Sequence, residues 1–266
     1  MRVEVLSDHP GDLLAEIVRE RGRAVRQSDG VAAKMARERD KARAEHRWLT
    51  WVRLIFAVRR ARRTARRQQA QSASPTNREQ ALRAGGDAEQ RVADELGGAL
   101  TDEWLLFRGY RNARGEIDGL LLGPRGLFAF EVKYVNATVD IQGDDWWAAK
   151  FDKYGNQVEA RAPMTDRGGR SPSRQLNDPA SALADWLRRR GHQASVKRIV
   201  LLTHHNAQVG TSRGATVQVV KSAQGLLQLV ERARVTLRAG QQAEIAELIR
   251  RDHQHFAARR ARPARR

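Results

Sequence analysis

Alternating and continuous apolar runs between residues 104 and 220 predict a β-sheet. Trp104–Tyr110, Glu116–Leu122 and Leu127–Tyr134 follow one another with the length and composition of strands. The last two flank a Gly-Pro-Arg-Gly sequence, which is typical of a hairpin turn. Val196–Thr203 is expected to be a central strand, and Val217–Val220 a short one.

Segments with helical composition lie before and after these strands. Val31–Gln71 contains no Gly or Pro and is rich in Ala, Arg, Glu and Lys, which predicts one long helix. Asp87–Leu96 begins with a capping residue, and two helices close the chain at about Ala223–Val235 and Gln241–Ala258. The order of elements predicts an α/β fold with a mixed sheet flanked by helices.

Composition divides the chain into four regions. Ser72–Gly86, with its proline and terminal Gly-Gly, is expected to be a linker that breaks the helical pattern. It separates a basic helical region, 1–71, from a core domain, 87–222. Residues 223–266 are expected to form the C-terminal helices and an arginine-rich tail.

Charge narrows the class of partner. The formal net charge is +18, from 49 Lys and Arg against 31 Asp and Glu, which predicts a polyanionic partner such as nucleic acid or an anionic membrane surface. The absence of cysteine excludes disulfides and cysteine-based zinc sites. The absence of cysteine is also compatible with a cytoplasmic location, and the N-terminus shows no secretory signal. Peripheral attachment to the inner face of the membrane is left open.

The centre of the long basic helix has two interpretations. Trp48–Val58 is apolar apart from Thr50 and Arg53, but it is too short to span a bilayer. Residues 48–67 could lie on an anionic membrane surface, or the apolar face could pack on the following domain or on a second copy, giving a homodimer. Basic residues expected to contact phosphates are Arg59, Arg60, Arg62, Arg63, Arg66 and Arg67 on this helix and Arg167, Arg170 and Arg174 in a polar loop.

The predicted hairpin carries charges inside its apolar runs. With the turn at Gly123–Gly126, Asp118 is expected opposite Glu131, and Glu116 opposite Lys133. Two carboxylates so close repel one another unless a cation lies between them, and Mg²⁺ takes one or two carboxylates and keeps several waters. Lys133 would then orient or deprotonate an attacking water, or offset transition-state charge. Glu116 is either the partner of Lys133 or a further acid of the cluster.

These residues resemble the nuclease-related domain (NERD) family of the PD-(D/E)xK nuclease superfamily. The similarity lies in Asp118 after an isoleucine, the glycine turn, and the strand GLFAFEVK ending in Glu131 and Lys133. Glu89 in the preceding helix, Trp146 or Trp147, and Pro172 followed by Gln175 extend it over about Gly85–His205.

The resemblance implies a restriction-endonuclease-like fold and Mg²⁺-dependent cleavage of phosphodiester bonds, with Mn²⁺ as substitute. By it, Asp118, Glu131 and Glu89 bind metal, Lys133 assists the water, and Gln175 positions metal, water or phosphate. One departure is Pro179, which is expected to interrupt the helix that carries Gln175 in the family. We therefore expect a helix only from Pro179 to Arg190, capped by Asp178.

Two functions remain open at this point. The first is a Mg²⁺-dependent nuclease acting on DNA rather than RNA. The alternative is a non-catalytic module that binds nucleic acid or a membrane surface and retains the nuclease fold.

Overall fold

The computed structural model of the protein describes residues 1–261 apart from Lys153 and Gly155. The chain forms two compact units, one made of Met1–His9 with Ala84–Arg266 and one of Pro10–Arg83. The first residues and the C-terminal helices therefore belong with the core, and not to separate regions as predicted. The end of the predicted basic tail, residues 262–266, lies outside the described residues.

The described residues form ten strands and six helices. In chain order the strands are β1 (Arg2–Val5), β2 (Leu105–Asn112), β3 (Gly115–Gly123), β4 (Gly126–Lys133), β5 (Thr138–Gln142), β6 (Asp145–Phe151), β7 (Gln157–Pro163), β8 (Val196–Leu202), β9 (Gln208–Arg213) and β10 (Gln218–Val220). The helices are α1 (His9–Ala44), α2 (Trp48–Ala73), α3 (Asn77–Ala99), α4 (Pro172–Arg188), α5 (Ala223–Arg232) and α6 (Ala239–Ala261).

A six-stranded mixed sheet organises the larger unit, in the order β1-β2-β3-β4-β8-β10. The pairs β2–β3 and β3–β4 are antiparallel, whereas β4–β8 and β8–β10 are parallel. One face of the sheet packs with α4 and α6, and the other with α3 and α5. The predicted α/β class, with a mixed sheet flanked by helices, is confirmed.

A second sheet was not predicted. It has four strands in the order β7-β6-β5-β9, and we predicted no strand in any of these segments. Its strands bury few side chains: β5 buries only Val139 and Ile141, and every residue of β7 is exposed. An apolar pattern is the main sequence signal for a strand, so strands this polar give almost none.

The predicted helix Val31–Gln71 is instead two helices, α1 and α2. The break falls at residues 45–47, where His46 has a left-handed backbone with φ of 56°, a conformation that costs energy for residues other than glycine. α1 also starts well before Val31 and continues through Gly22 and Gly30. The cost of each glycine, about 1 kcal/mol relative to alanine, is absorbed by a helix of this length.

The predicted linker Ser72–Gly86 is also mostly helical. α3 begins at Asn77 and continues through Gly85 and Gly86, so only a short turn around Pro75 separates it from α2. A capping box starts the helix: the backbone N–H of Thr76 donates to the Glu79 carboxylate at 3.0 Å, and the N–H of Glu79 donates to the Thr76 hydroxyl at 3.3 Å. Among the described residues, no helix is long and apolar enough to cross a membrane.

Gly119 on β3 is a position where any side chain should destabilise the fold. A Cβ built there would lie 2.1 Å from the ring of Phe130, which is buried in the sheet core. We expect Gly119→Ala to lower the free energy of unfolding by about 1–3 kcal/mol, because the ring must move. Urea denaturation measures the change.

Gly98→Ala on α3 is the matched control, since nothing lies within 4 Å of a Cβ built at Gly98. It should be neutral or stabilising, because alanine favours the helix. Equal stability of Gly119→Ala and wild type would contradict the packing described here.

Candidate active site

The β3–β4 hairpin has the predicted register, but only over part of its length. Partner residues run from Gly123–Gly126 to Gly119–Phe130, and the ladder ends there. Beyond this point β4 continues beside β8 as far as Lys133. The expected cross-strand pairs of Asp118 with Glu131 and of Glu116 with Lys133 are therefore not part of the ladder. The charged side chains gather where the two strands separate.

Asp118 lies at the separation and closes it with a hydrogen bond. Its Oδ2 accepts the backbone N–H of Val132 on β4 at 2.7 Å. Burial, followed by the charges of Glu131 and Glu89, raises the pKa of Asp118 well above its ordinary value, although Lys133 and the Val132 N–H oppose this. The fold thus holds the Asp118 carboxyl group close to other negatively charged groups, although they repel it.

Lys133 connects the sheet to α4. Its Nζ donates to Glu131 Oε1 at 2.6 Å and to Gln175 Oε1 at 2.8 Å. Burial lowers the pKa of Lys133, but the charges of Glu131 and Asp118 raise it more, so that it ends above its ordinary value. The ammonium form is therefore the stable one in this arrangement.

Gln175 reaches Lys133 because α4 starts earlier than predicted. Pro172 is its first residue, and the Ser171 hydroxyl accepts the Arg174 N–H at 3.4 Å as N-cap. The rule that proline favours the first helical position holds, but it applies to Pro172, and the expected start at Pro179 with Asp178 as cap is wrong.

Pro179 lies inside α4 without ending it. Its missing N–H would have bonded to the carbonyl of Gln175, one turn earlier. Pro179 is buried, and its own carbonyl accepts the Asn112 side chain at 2.8 Å. Packing and this bond compensate for the lost backbone interaction, so the expected interruption does not occur.

The start of α4 is also fixed by the second sheet. Trp146 on β6 is fully buried, and its Nε1 donates to the Ser173 hydroxyl at 2.7 Å. Trp147, the other candidate for the family tryptophan, instead lies under Arg161 at 4.6 Å. Trp146 is thus the tryptophan that positions the helix of Gln175. Its partner Ser173 was not predicted from the sequence.

The loop before α4 holds Gln175 from the other side. Gln175 Nε2 donates to the carbonyl of Arg170 at 2.8 Å, and Arg170 forms an ion pair with Asp166 at 3.0 Å. Burial raises the pKa of Asp166, but hydrogen bonds from Arg170 and the Gly168 N–H lower it more, below its ordinary value. Asp166 was not among the predicted residues, although its turn-like sequence, TDRGG, was visible.

The predicted phosphate-binding arginines of this region differ in their surroundings. Arg170 is engaged by Asp166, and Arg174 lies 3.6 Å from Asp145. Arg167 is exposed and has no ion pair within the described part of the chain. The six predicted arginines of α2, Arg59 to Arg67, belong to the smaller unit and are all exposed.

Glu89 approaches the cluster from α3. Its carboxylate is 4.0 Å from Arg108 on β2. Burial raises the pKa of Glu89 to about 7, Arg108 opposes the rise, and the charge of Glu131 adds to it. Glu116, whose role was open, is bound by Arg111 and by the Ser7 hydroxyl, so it is not the partner of Lys133.

The described residues contain no group of three or more His, Cys, Asp or Glu side chains arranged to hold a metal ion. Glu89 therefore does not complete a three-carboxylate chelate with Asp118 and Glu131 in this arrangement. The two remaining carboxylates still match the donor type and number that Mg²⁺ takes from proteins. The mutual repulsion that raises the pKa of Asp118 is also what a bound cation would relieve.

The raised pKa of Glu89 predicts a pH-dependent effect on stability. The folded state binds the Glu89 proton more tightly than the unfolded state does. The stability gained from this proton is therefore complete below pH 4.5 and is lost as pH rises through 7. In the metal-free protein, the free energy of unfolding of Glu89→Gln relative to wild type should therefore rise by about 2 kcal/mol from pH 5 to pH 8. Thermal unfolding at the two pH values measures the gain.

Glu95→Gln is the control, since Glu95 is exposed on the same helix. It gives the effect of removing an exposed carboxylate from α3, against which the effect of Glu89→Gln is compared. An effect of Glu89→Gln that does not change with pH would contradict a buried Glu89 with a raised pKa.

Comparison with known protein families covers the region that contains these residues. Residues 84–203 match the family model described as nuclease-related domain. The match starts within α3, ends just after β8, and contains Glu89, Asp118, Glu131, Lys133 and Gln175. The searches of curated proteins and of solved structures found no match. The resemblance stated from the sequence is confirmed over residues 84–203, which are similar to the nuclease-related domain (NERD) family.

Proposed function

We propose that this protein is a divalent-metal-dependent nuclease that hydrolyses phosphodiester bonds of nucleic acid, with DNA as the expected substrate. One observation supports it above the others. The Lys133 ammonium is held between Glu131 and Gln175 beside Asp118, inside a nuclease-related domain. An acidic pair with a fixed cation next to it suits reactions at phosphorus, where both water activation and charge stabilisation are needed.

Asp118 and Glu131 are the side chains that would hold Mg²⁺ or Mn²⁺. Glu89 is a third acid, close enough for its charge to raise the pKa of Asp118. Bound there, the ion would neutralise charge on the phosphate and lower the pKa of a water molecule. Glu89 would then act through its charge or through a water, because it forms no chelate with the other two acids among the described residues.

Lys133 is proposed to act as a hydrogen-bond donor and not as a base. In its ammonium form it has three N–H donors and no acceptor, and two of them already point at Glu131 and Gln175. The third can meet the attacking water or a phosphate oxygen. The water oxygen bonds to phosphorus, the ester bond breaks, and the water's proton passes through solvent to the leaving oxygen; this donor stabilises the negative charge that grows in between.

Gln175 is proposed as a positioning residue. One end of its amide holds Lys133 and the other is fixed on the Arg170 carbonyl. The helix start beneath it is tied to Trp146 through Ser173. Such support keeps a reacting group in one geometry, on which catalysis depends.

Nucleic-acid affinity is expected to come from the positive charge of the chain. Arg167 and Arg174 are close in sequence to Gln175, and both side chains are exposed. The net charge of +18 adds a sequence-independent attraction. Binding should therefore weaken steeply as salt increases.

A non-catalytic module is the second candidate, and one observation favours it. Lys133, Glu131 and Gln175 satisfy one another, and Asp118 is satisfied by the Val132 N–H. A cluster whose hydrogen bonds are all satisfied internally could hold α4 on the sheet without taking part in a reaction. This candidate binds nucleic acid and yields no Mg²⁺-dependent product.

Cleavage assays separate the two candidates. Plasmid and single-stranded DNA are incubated with the wild type, Asp118→Asn and Lys133→Ala, each with Mg²⁺, with Mn²⁺ and with chelator. We expect metal-dependent cleavage by the wild type and a fall of at least about 100-fold in each variant, as for loss of a group that stabilises transition-state charge.

Asp185→Asn is the matched control, because Asp185 is a partly exposed aspartate on α4 whose ion pair is with Arg188. It should cleave like the wild type. Equal cleavage by the wild type and the two site variants would refute the catalytic proposal and leave the binding module.

A further inference from the structure

Three aromatic side chains lie together at the edge of the sheet beside the candidate active site. Tyr134 directly follows Lys133, and His204 and His205 follow β8. The Tyr134 and His204 rings are 4.9 Å apart in an edge-on arrangement, and the His204 and His205 rings are stacked at 4.3 Å. β4 and β8 are parallel neighbours, so their carboxyl ends bring the three rings to the same place.

The group is held in position by polar contacts. His204 Nδ1 accepts the backbone N–H of Asn206 at 3.1 Å, which fixes the ring orientation. Burial, followed by the charges of His205 and Lys150, lowers the pKa of His204, so the ring is neutral at pH 7. Arg91 lies over the Tyr134 ring at 5.7 Å and comes from α3, the helix that also carries Glu89.

Core packing does not account for these rings. Tyr134 is 43% exposed, His205 is exposed, and His204 is only partly buried. All three stand outside the two hydrophobic clusters of the described sheet. Exposed aromatic rings beside an arginine are the arrangement on which proteins stack unpaired nucleic-acid bases.

We propose that Tyr134, His204 and His205 form a stacking platform for an unpaired base of single-stranded nucleic acid, whose backbone passes the Asp118, Glu131 and Lys133 site. The proposal rests on the proposed function for the role of that site, and it names the substrate class. In a duplex, the faces of the bases are already stacked on one another, so the platform selects single strands or frayed ends.

The test is a binding measurement that does not require cleavage. Fluorescence anisotropy in the presence of chelator, at one fixed salt concentration, gives the affinity of the full chain for an oligothymidine and for a duplex of equal length. We expect Tyr134→Ala and His205→Ala each to weaken single-strand binding about 10-fold, as for loss of one stacking contact. Tyr134→Phe should stay within about twofold of the wild type, because it keeps the ring.

Duplex affinity should change less than about twofold in all platform variants, because duplex binding depends on charge. Phe151→Ala is the matched control, since Phe151 is a similarly exposed ring, 45%, on the second sheet, and it should bind like the wild type. Unchanged single-strand affinity in both alanine variants, or an equal loss for duplex, would overturn the platform. Either result is independent of whether the wild type cleaves DNA.

A second inference comes from the smaller unit, where α2 exposes large apolar side chains. Trp48 is 70% exposed, Leu49 85%, Val52 42% and Phe56 65%. Successive helical residues are rotated by about 100°, so these four lie within one sector of the helix. Val58 and Ala65, on the opposite side, are buried.

Arginines continue the same sector along the second half of α2. Arg59, Arg63, Arg66 and Arg67 follow the apolar residues, and all four are exposed. The whole helix contains seven arginines and no Asp or Glu. One outward face about 30 Å long is thus apolar first and then strongly basic.

We infer that this face binds the surface of an anionic lipid bilayer. The apolar half suits the boundary between headgroups and acyl chains, where Trp and Phe are favoured, and the arginines suit the lipid phosphates. A nucleic acid would use the arginines and leave the apolar half in water. A second copy that paired α2 with α2 would bring two strongly positive helices together.

Vesicle sedimentation tests this face. The full chain is mixed with phosphatidylcholine vesicles, with and without about one quarter phosphatidylglycerol. We expect binding only to the anionic vesicles, and a loss of about 10-fold or more in Leu49→Ser/Phe56→Ser and in Arg59→Gln/Arg63→Gln/Arg66→Gln. Val158→Ser/Val235→Ser, which changes two exposed apolar residues of the larger unit, should bind like the wild type.

Circular dichroism checks that each variant keeps its helical content. Wild-type levels of vesicle binding by either α2 variant would overturn the inference. A loss of duplex DNA binding in the arginine variant with vesicle binding unchanged would assign the face to nucleic acid. A dimer that Leu49→Ser/Phe56→Ser dissociates with vesicle binding unchanged would assign it to a second copy.

Discussion

The contact on which the site depends is the pair of hydrogen bonds made by Lys133. Its Nζ joins Glu131 on β4 to Gln175 on α4 at 2.6 and 2.8 Å. Without an opposite charge, a partly buried ammonium would lose its proton or move to solvent. Glu131 and Asp118 keep it charged, and so the sheet and the helix meet at one defined point. Together with the Trp146–Ser173 hydrogen bond, this contact holds the start of α4 against the rest of the unit.

The closeness of the acidic groups around Lys133 destabilises the fold, and the same closeness would attract a cation. Burial and mutual repulsion raise the pKa values of Asp118 and Glu89, so full ionisation of the cluster is unfavourable without a cation. Strain of this kind is typical of sites that gain a cation on binding. The ending of the β3–β4 ladder at Gly119–Phe130 gives the acids their room. Gly119, which leaves space only for the Phe130 ring, helps to fix that end.

The sequence was sufficient for the hairpin and for five of the six strands of the sheet that contains it, but it did not predict β1. Long apolar strands and a glycine turn determine the register from Gly123–Gly126 to Gly119–Phe130, and residue order alone led to the family that residues 84–203 match. The second sheet was missed because its exposed strands carry almost no apolar pattern. The start of α4 was missed because two prolines competed for the first helical position, and the Ser171 cap favours the earlier one. The contacts of Asp118 with Val132 and of Lys133 with Gln175 join residues far apart in the chain, so no local pattern predicts them.

The central claim is that Asp118 and Glu131 together hold a divalent metal ion beside Lys133. A crystal structure of the protein soaked with Mn²⁺, with anomalous data collected for manganese, tests this claim most directly. The account predicts one anomalous peak at coordination distance, about 2.0–2.3 Å, from a carboxylate oxygen of each residue. A structure at saturating Mn²⁺ with no peak between the two carboxylates, and with Lys133 still bound to Glu131, would contradict it.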